Sequence, residues 1–329
     1  MVKLAEIAQA SGFSIPVVSR VLNPGRNCTA KVAETTRAKI LETANALGYK
    51  PNRNAEFLKR GRIPTIGVFL PHYRNSLITD LVMGISSSAA EAGFPVSFDF
   101  DTKYANYRKF LEETRGQCNC GIITYPDFKL DAEAEKLITT YLDEGGKIVL
   151  INAGDFMPTV PHIEIDNREG GHIAANALLE AGCDEMILFT SSTLCRSEGF
   201  REVLEGQNYS VREYVEWHDD FQAVVDFCVK NRKRKIGIFA TADRSAIKIH
   251  TMLMHAGIIP GTNVKLIGYD NLFLTERMFP SLASISQPFV QVGKYAVEAL
   301  VASIYGKPAP DVHLYPELIH RQTLDGIIG

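Results

Sequence analysis

The side chains of this 329-residue sequence that could do covalent or acid–base chemistry are scattered rather than grouped. Its eight histidines stand at 72, 162, 172, 218, 250, 255, 313 and 320, and no pair has useful metal spacing. His250 and His255 are five apart, which does not stack them on one helix face. Cys118-x-Cys120 has no second pair at metal distance. The six cysteines (28, 118, 120, 183, 195, 228) therefore read as buried or free thiols, not as a disulfide scaffold. There is no G-x-G-x-x-G after a strand, no G-x-x-x-x-G-K-S/T, no G-x-S-x-G and no H-E-x-x-H. Acidic neighbours such as Asp219 and Asp220 read as solvated helix starts. No catalytic residue, metal ligand or cofactor is assigned, and an enzyme is not expected.

The concentrated chemistry is electrostatic. Residues 1–62 carry eleven Lys/Arg against four Glu, a net +7, while the remainder carries 24 against 34 acids, a net −10. The overall −3 hides a small basic head on an acidic body, the pattern of a polyanion-binding module joined to something with another task. A solvated charged face is the alternative, and only the local pattern separates the two. At 46% hydrophobic and 22% charged, the chain can build a sizeable core. No apolar run approaches the roughly 18 residues of a membrane span, and the start, MVKLAEIAQASG, does not read as a secretory signal. A cytoplasmic location is the resulting expectation.

The head has the elements to place such charge. Leu4, Ile7 and Ala8 repeat at helical spacing, and Gly12 suits the left-handed position past a helix end. Ser14 can cap a second helix with Pro16 in its first turn, running to about Leu22 before Asn23-Pro24-Gly25. Val18, Val21 and Leu22 can pack on Ile7 and Ala8, leaving Ser14, Ile15, Val17, Ser19 and Arg20 near the other face. A third helix is expected over about 33–47, ending at Gly48. Two short helices joined by a tight turn and braced by a third form the unit that places its second helix in a DNA major groove.

The segments "EIAQASGFSIPVVSRVLNP", "VAETTRAKILETANALGYKPN" and "NAEFLKRGR" resemble the DNA-binding head and hinge of the LacI/GalR family of transcriptional repressors. The resemblance continues through "TIGVFLP", "IEIDNREGG", "RSEGFRE", "IGYDN" and "ISQPF", in that family's order. It implies that Ser14 to Arg20 begin the recognition helix. Arg20 is the candidate base contact, since its planar fork fits guanine O6 and N7, with a phosphate clamp as its alternative role. Ser19 and Asn23 are assigned to phosphate, and Ile15, Pro16 and Val17 to the reading face. In the head, two features depart from the family pattern: the loop 24–31 is longer than in compact members, and Ala33 stands where a serine cap is usual.

Residues 51–61, bounded by Pro51 and Gly61, are too few to hold a helix alone, because isolated helices shorter than about 12–15 residues are marginal in water. The resemblance makes them a hinge helix that lies with its dimer twin in the minor groove. Leu58 would wedge between central base steps, Ala55 would let the twins approach, and Asn52, Lys59 and Arg60 would lie near phosphates. Phe57 is bulkier than the family norm.

From residue 62 on, β-branched runs alternate with helical stretches in two series, implying parallel sheets covered on both faces. Ligands of such sheets bind outside the carboxyl ends of the strands. The resemblance makes this a two-lobed, periplasmic-binding-protein-like α/β effector domain. The expected division is head 1–49, hinge helix 50–61, one lobe of about 62–159 and 289–317, and a second of about 160–288 and 318–329. Arg196 and Asp270 match effector-binding residues of the family, with Asn75 and Asp166 as weaker candidates. An Arg and an Asp facing one cleft supply donors and acceptors for a polyol; the alternative is that they pair across the lobes. Asp166 has the further alternative of capping the helix that follows it. The implied protein is a sequence-specific regulator, a repressor by family, that binds near-palindromic double-stranded operator DNA as a homodimer. A small-molecule effector, a sugar or sugar derivative, controls it from between the lobes. A solute-binding receptor without gene control is the competing reading, and the basic head argues against it.

Overall fold

The computed structural model describes residues 2–22, 32–49, 63–72, 76–117, 119–126, 128–191, 194–207, 209–309 and 311–326. The chain divides into two compact units, Met1–Pro64 and Thr65–Gly329.

The first unit is helical, with α1 (Leu4–Ser11), α2 (Ile15–Leu22) and α3 (Glu34–Ala46). Helix α1 stops at Gly12, whose φ of 77° needs no Cβ and lets the N–H groups of Gly12 and Phe13 both reach Ala8 O. The chain turns at once into α2, where Ser14 O accepts the first helical bonds from Val17 and Val18 (both 3.0 Å). Ile7, Ala8, Val18, Val21, Ile40 and Ala44 are the buried core. This is the face the helical spacing predicts, with one adjustment: Val17 is half-buried against that core rather than wholly on the outer face. Ala33 precedes α3 without a side-chain cap bond, so α3 lacks the bonus a serine would give, typically about 1 kcal/mol.

The second unit holds two six-stranded sheets. The first has the order β11-β5-β4-β3-β1-β2 and the second β12-β10-β9-β8-β6-β7. The first series runs β1 (Ile63–Leu70), α4 (Ser76–Ala92), β2 (Val96–Phe100), α5 (Tyr104–Gln117), β3 (Asn119–Thr124), α6 (Ala132–Asp143), β4 (Ile148–Ile151) and β5 (His162–Ile165). The second runs α7 (Asn167–Glu180), β6 (Glu185–Thr190), α8 (Leu194–Gly206), β7 (Val211–Val215), α9 (Phe221–Lys230), β8 (Ile236–Ala240), α10 (Asp243–His255), β9 (Val264–Tyr269), α11 (Phe273–Arg277) and β10 (Ala283–Ser286). The chain ends with α12 (Phe289–Ile304), β11 (Val312–Leu314), β12 (Glu317–Ile319) and α13 (Gln322–Asp325). Central strands such as β4 (IVLI) and β8 (IGIFA) are buried throughout, because helices cover both faces. Only β10 and β12 pair antiparallel among the described registers.

Strand β5 corrects the expected lobe boundary. The sequence reading begins the second lobe near residue 160, yet β5 pairs in parallel with β4 and β11 in the first sheet. A β-branched run announces a strand without saying which sheet will take its hydrogen bonds. The first passage between lobes therefore falls at Asp166, the second at Gln287–Pro288 and the third at Tyr315–Pro316. Each passage is one or two residues long and leaves a strand at its carboxyl end. Such short links force the carboxyl ends of β5 and β10 to abut, so the two sheets present their ligand-binding edges to a common cleft.

Candidate nucleic-acid interface and ligand cleft

Ser14, just before α2, and Ile15, Pro16 and Arg20 on it are exposed, and Ser19 is half-buried. Ile15 exposes 49% of its surface, an apolar side chain left unburied at the start of the helix. Packing of Val18 and Val21 inward fixes the rotation of α2, and that rotation turns Arg20 outward. Asn23, the loop 24–31, the hinge residues Asn52, Ala55, Leu58, Lys59 and Arg60, and Asn75 lie outside the described residues.

In the second unit, Arg196 and Asp270 come together at the carboxyl edge of the second sheet. Arg196 Nη1 stands 3.3 Å from Asp270 Oδ1, and both belong to the second lobe, so the pair forms within one lobe and not across the two. The guanidinium is fully engaged on its protein side. Nε donates to Asn167 Oδ1 (2.8 Å), Nη1 donates to Thr241 O (2.7 Å), and the plane lies 3.6 Å from the Tyr269 ring centroid. Tyr269 is buried and its hydroxyl donates to the same Asn167 oxygen (3.3 Å). Burial pushes the Tyr269 hydroxyl up to about 12, so it stays a donor. Asn167 thus orients Arg196 from one side while Tyr269 supports it from below.

Two glycines permit this. A Cβ on Gly171 would meet Arg196 O at 2.2 Å, and one on Gly199 would meet Arg168 O at 2.0 Å. Helices α7 and α8 therefore touch backbone to backbone, which brings Asn167 within reach of Arg196. The glycines of "REGG" and "SEGF" are the sequence trace of that contact.

Asp270 sits where the backbone is least comfortable. Its φ is 110° and that of Asn271 is 50°, two successive non-glycine residues in the positive region. Such conformations cost about 1–3 kcal/mol each and persist only when surroundings enforce them. Here Asp270 N donates to Ile285 O (2.8 Å), Asn271 N to Ser284 Oγ (3.0 Å) and Leu272 N to Asp243 Oδ2 (2.7 Å). Gln287 Nε2 donates to Asp270 Oδ1 (2.8 Å) from the second passage between lobes. Burial raises the Asp270 carboxyl above its ordinary range, while Arg196 and Gln287 oppose the rise.

Asp166 takes the capping role that the sequence offers as its alternative. Its Oδ1 accepts from Glu169 N (2.9 Å) and its own N–H donates to Leu314 O (2.9 Å), which seats the first passage against the third. Leu77 and Ile78 are buried on α4. Sequence reasoning did not single out Asn167, Thr241, Tyr269 or Gln287, although three of them lie inside quoted motifs. Nor did it single out Trp217, the one tryptophan of the chain. Trp217 is 64% exposed on the turn that follows the carboxyl end of β7, on the same edge as Arg196 and Asp270. Its signal was the isolation of an aromatic just past a strand. Among the described residues no group of His, Cys, Asp and Glu is placed to hold a metal ion, and no helix is long and apolar enough to cross a membrane.

Residues 3–52 match the family model of bacterial regulatory proteins, lacI family, and residues 175–324 match that of the periplasmic binding protein-like domain. The chain is 27% identical to the HTH-type transcriptional repressor PurR of Vibrio cholerae, over 98% of each protein. The lac repressor dimer bound to operator and the anti-inducer ONPF shares its fold, with a TM-score of 0.68 at 21% identity over 98% of this chain and 99% of that one. The regulator CelR in complex with cellobiose does likewise, with a TM-score of 0.67 at 21% identity over 98% and 100%. The helical head with Arg20 turned outward, the two parallel sheets meeting at three short passages and these two family matches agree: the chain belongs to the LacI/GalR family of DNA-binding transcriptional repressors.

Proposed function

We propose that this protein represses transcription as a homodimer on a near-palindromic operator, and that a small polyhydroxylated effector bound between its lobes controls the grip. The observation that carries the reading is the Arg196–Asp270 pair at the cleft edge, 3.3 Å apart and tied to an interlobe passage through Gln287. Its donors and acceptors suit vicinal hydroxyls, and Trp217 adds an aromatic face on the same edge, the pairing of polar and apolar contact that a sugar ring takes. The task is binding rather than turnover.

Ser14, Ile15, Pro16, Val17, Ser19 and Arg20 form the reading helix, and Asn23, Asn52 and Lys59 hold phosphates. Leu58 and Ala55 serve the hinge over residues 50–61. Asp166 acts on the effector indirectly, as the cap that seats a passage, and Asn75 is a further effector contact by the family resemblance. A homodimer is favoured by exposed apolar residues on the second lobe: Phe273, Leu274 and Phe279 are 65%, 53% and 68% exposed. The protein works in the cytoplasm, where its operator is.

The test uses the purified full-length chain. Genomic fragments are selected at low salt, and retention is then measured with sugars and related metabolites chosen by their ability to raise the melting temperature. The reading expects one fragment class with two half-sites and at least one ligand that changes its retention. Indiscriminate retention of all fragments, liganded or bare, overturns it.

A further inference from the structure

Asp243 is the first residue of α10, and its side chain is wholly buried although no cleft ligand can reach it. It crosses behind β9 to the loop that carries Asp270. Oδ2 accepts from Leu272 N (2.7 Å), and Oδ1 is 2.7 Å from Ser284 Oγ. That same Ser284 oxygen accepts from Asn271 N (3.0 Å). The two backbone N–H groups that follow Asp270 are therefore held by one carboxyl–hydroxyl pair. Gly268 exists for it: a Cβ there would lie 2.0 Å from Asp243 Oδ1. The positive-φ Asp270 is thus held in place by a second, buried aspartate that follows the neighbouring strand β8.

We propose that Asp243 and Ser284 form a clamp that sets the cleft geometry of Asp270, so that the charge on Asp243 tunes capture of a ligand at Asp270. This rests on the reading of Asp270 as a ligand contact. With the proton on Asp243, the carboxyl donates to Ser284 Oγ and accepts from Leu272 N. Without it, Ser284 must donate to Asp243 while still accepting from Asn271, and a negative charge is added behind Asp270. The charged and titratable groups facing Asp243 are Asp270 from the loop and Arg321 from the start of α13. Behind them, Arg196 and Arg244 face Asp270, and Glu276 of α11 faces Arg321. Arg321 Nη2 donates to Asn271 Oδ1 (2.7 Å), so it stabilises the loop as well as a charged Asp243. Burial, with the Asp270 charge added, pushes the Asp243 carboxyl up to about 8, which puts the change of charge in the physiological range.

The test is made on the full-length chain by NMR between about pH 5 and about pH 9. The amides of Asn271 and Leu272 and the side-chain carboxyl carbon of Asp270 are expected to move on one shared curve centred above about pH 6. Asp243→Asn should flatten that curve, and Ser284→Ala should displace its midpoint, with the amides of β6 and β8 unmoved in both. Amides 271 and 272 that do not titrate, or that titrate equally in Asp243→Asn, overturn the clamp. A second arm uses cellobiose and D-ribose as probes. Where either binds the wild type, its dissociation constant should change several-fold across the same pH range, and Asp243→Asn should remove that change. A pH-independent dissociation constant in the wild type overturns the tuning. A chain that shows the shared curve but binds neither probe supports the clamp, and points away from these sugars without touching it.

Discussion

Gln287 donates its side-chain amide to Asp270 at 2.8 Å, joining a residue of an interlobe passage to a residue of the cleft edge. The contact gives the cleft a direct mechanical neighbour. Any ligand that competes for Asp270 Oδ1 must displace or reorient Gln287, and Gln287 is immediately followed by Pro288 and α12 of the other lobe. A ligand shifts the arrangement of lobes only by the difference of its affinities for the two arrangements. Asp270 and Gln287 are placed to make that difference.

Gln287→Ala should therefore separate binding from response. Affinity for an effector found by thermal shift should change less than tenfold. The ratio of operator affinities with and without that effector should shrink, since typical coupling energies are only about 1–3 kcal/mol and one hydrogen bond to a charged group is of that order. Calorimetry for the effector and a fluorescence titration for DNA give the two numbers. An unchanged ratio would assign transmission to the other two passages.

Much of this arrangement was legible beforehand and some was not. The face of α2 was readable because Val18, Val21 and Leu22 recur at helical spacing with Ile7 and Ala8 to receive them, and local periodicity needs no distant partner. Most of the strands and helices of the body were readable for the same reason. The membership of β5 was not, since its partners β4 and β11 are chosen by hydrogen bonds from far along the chain. The short strands β10, β11 and β12, of three or four residues each, carry too little period to register. Arg196 and Asp270 were named from resemblance, but their pairing within one lobe depends on the α7–α8 contact at Gly171 and Gly199. The role of Asp243 was not legible, because nothing local says that its carboxyl reaches Leu272 and Ser284.

Arg196→Ala should abolish the effector response while DNA binding persists. The side chains of Arg196 and Asp270 are 11% and 15% exposed, so the substitution leaves a nearly buried carboxylate without its cation. Breaking buried pairs costs roughly 3–5 kcal/mol, and partial exposure places this one toward the lower end. Arg196→Lys should fold better but still fail to respond, since an ammonium cannot bond Asn167, Thr241 and Asp270 together while stacking on Tyr269. A reporter assay with a confirming melt reads both, and a normal response in Arg196→Ala would remove the residue from the cleft.

Leu58→Ala tests the hinge that the sequence assigns. Loss of a wedge should weaken specific operator binding by a few kcal/mol, roughly the scale of unstacking a base step, and leave effector affinity intact. Nonspecific binding should keep its salt slope, because no phosphate contact is removed. Specific affinity equal to wild type in a gel-shift series would mean that another residue kinks the operator, or none does.

Asp243 should also leave a mark on stability. Its carboxyl is held at about 8 in the fold by burial, against 3.8 in the unfolded chain. Between those values the folded state retains a proton that the unfolded chain has released. Stability contributed by this group therefore falls as pH rises from about 4 to about 8 and levels off above that. Asn at 243 cannot ionise, yet its oxygen can accept from Leu272 N and its amide can donate to Ser284 Oγ. Asp243→Asn should thus gain steadily on the wild type as pH increases through this window, in urea denaturation of the unit Thr65–Gly329 within the full chain. Parallel stability profiles between about pH 5 and about pH 8 would mean that the buried carboxyl ionises as an ordinary surface acid does.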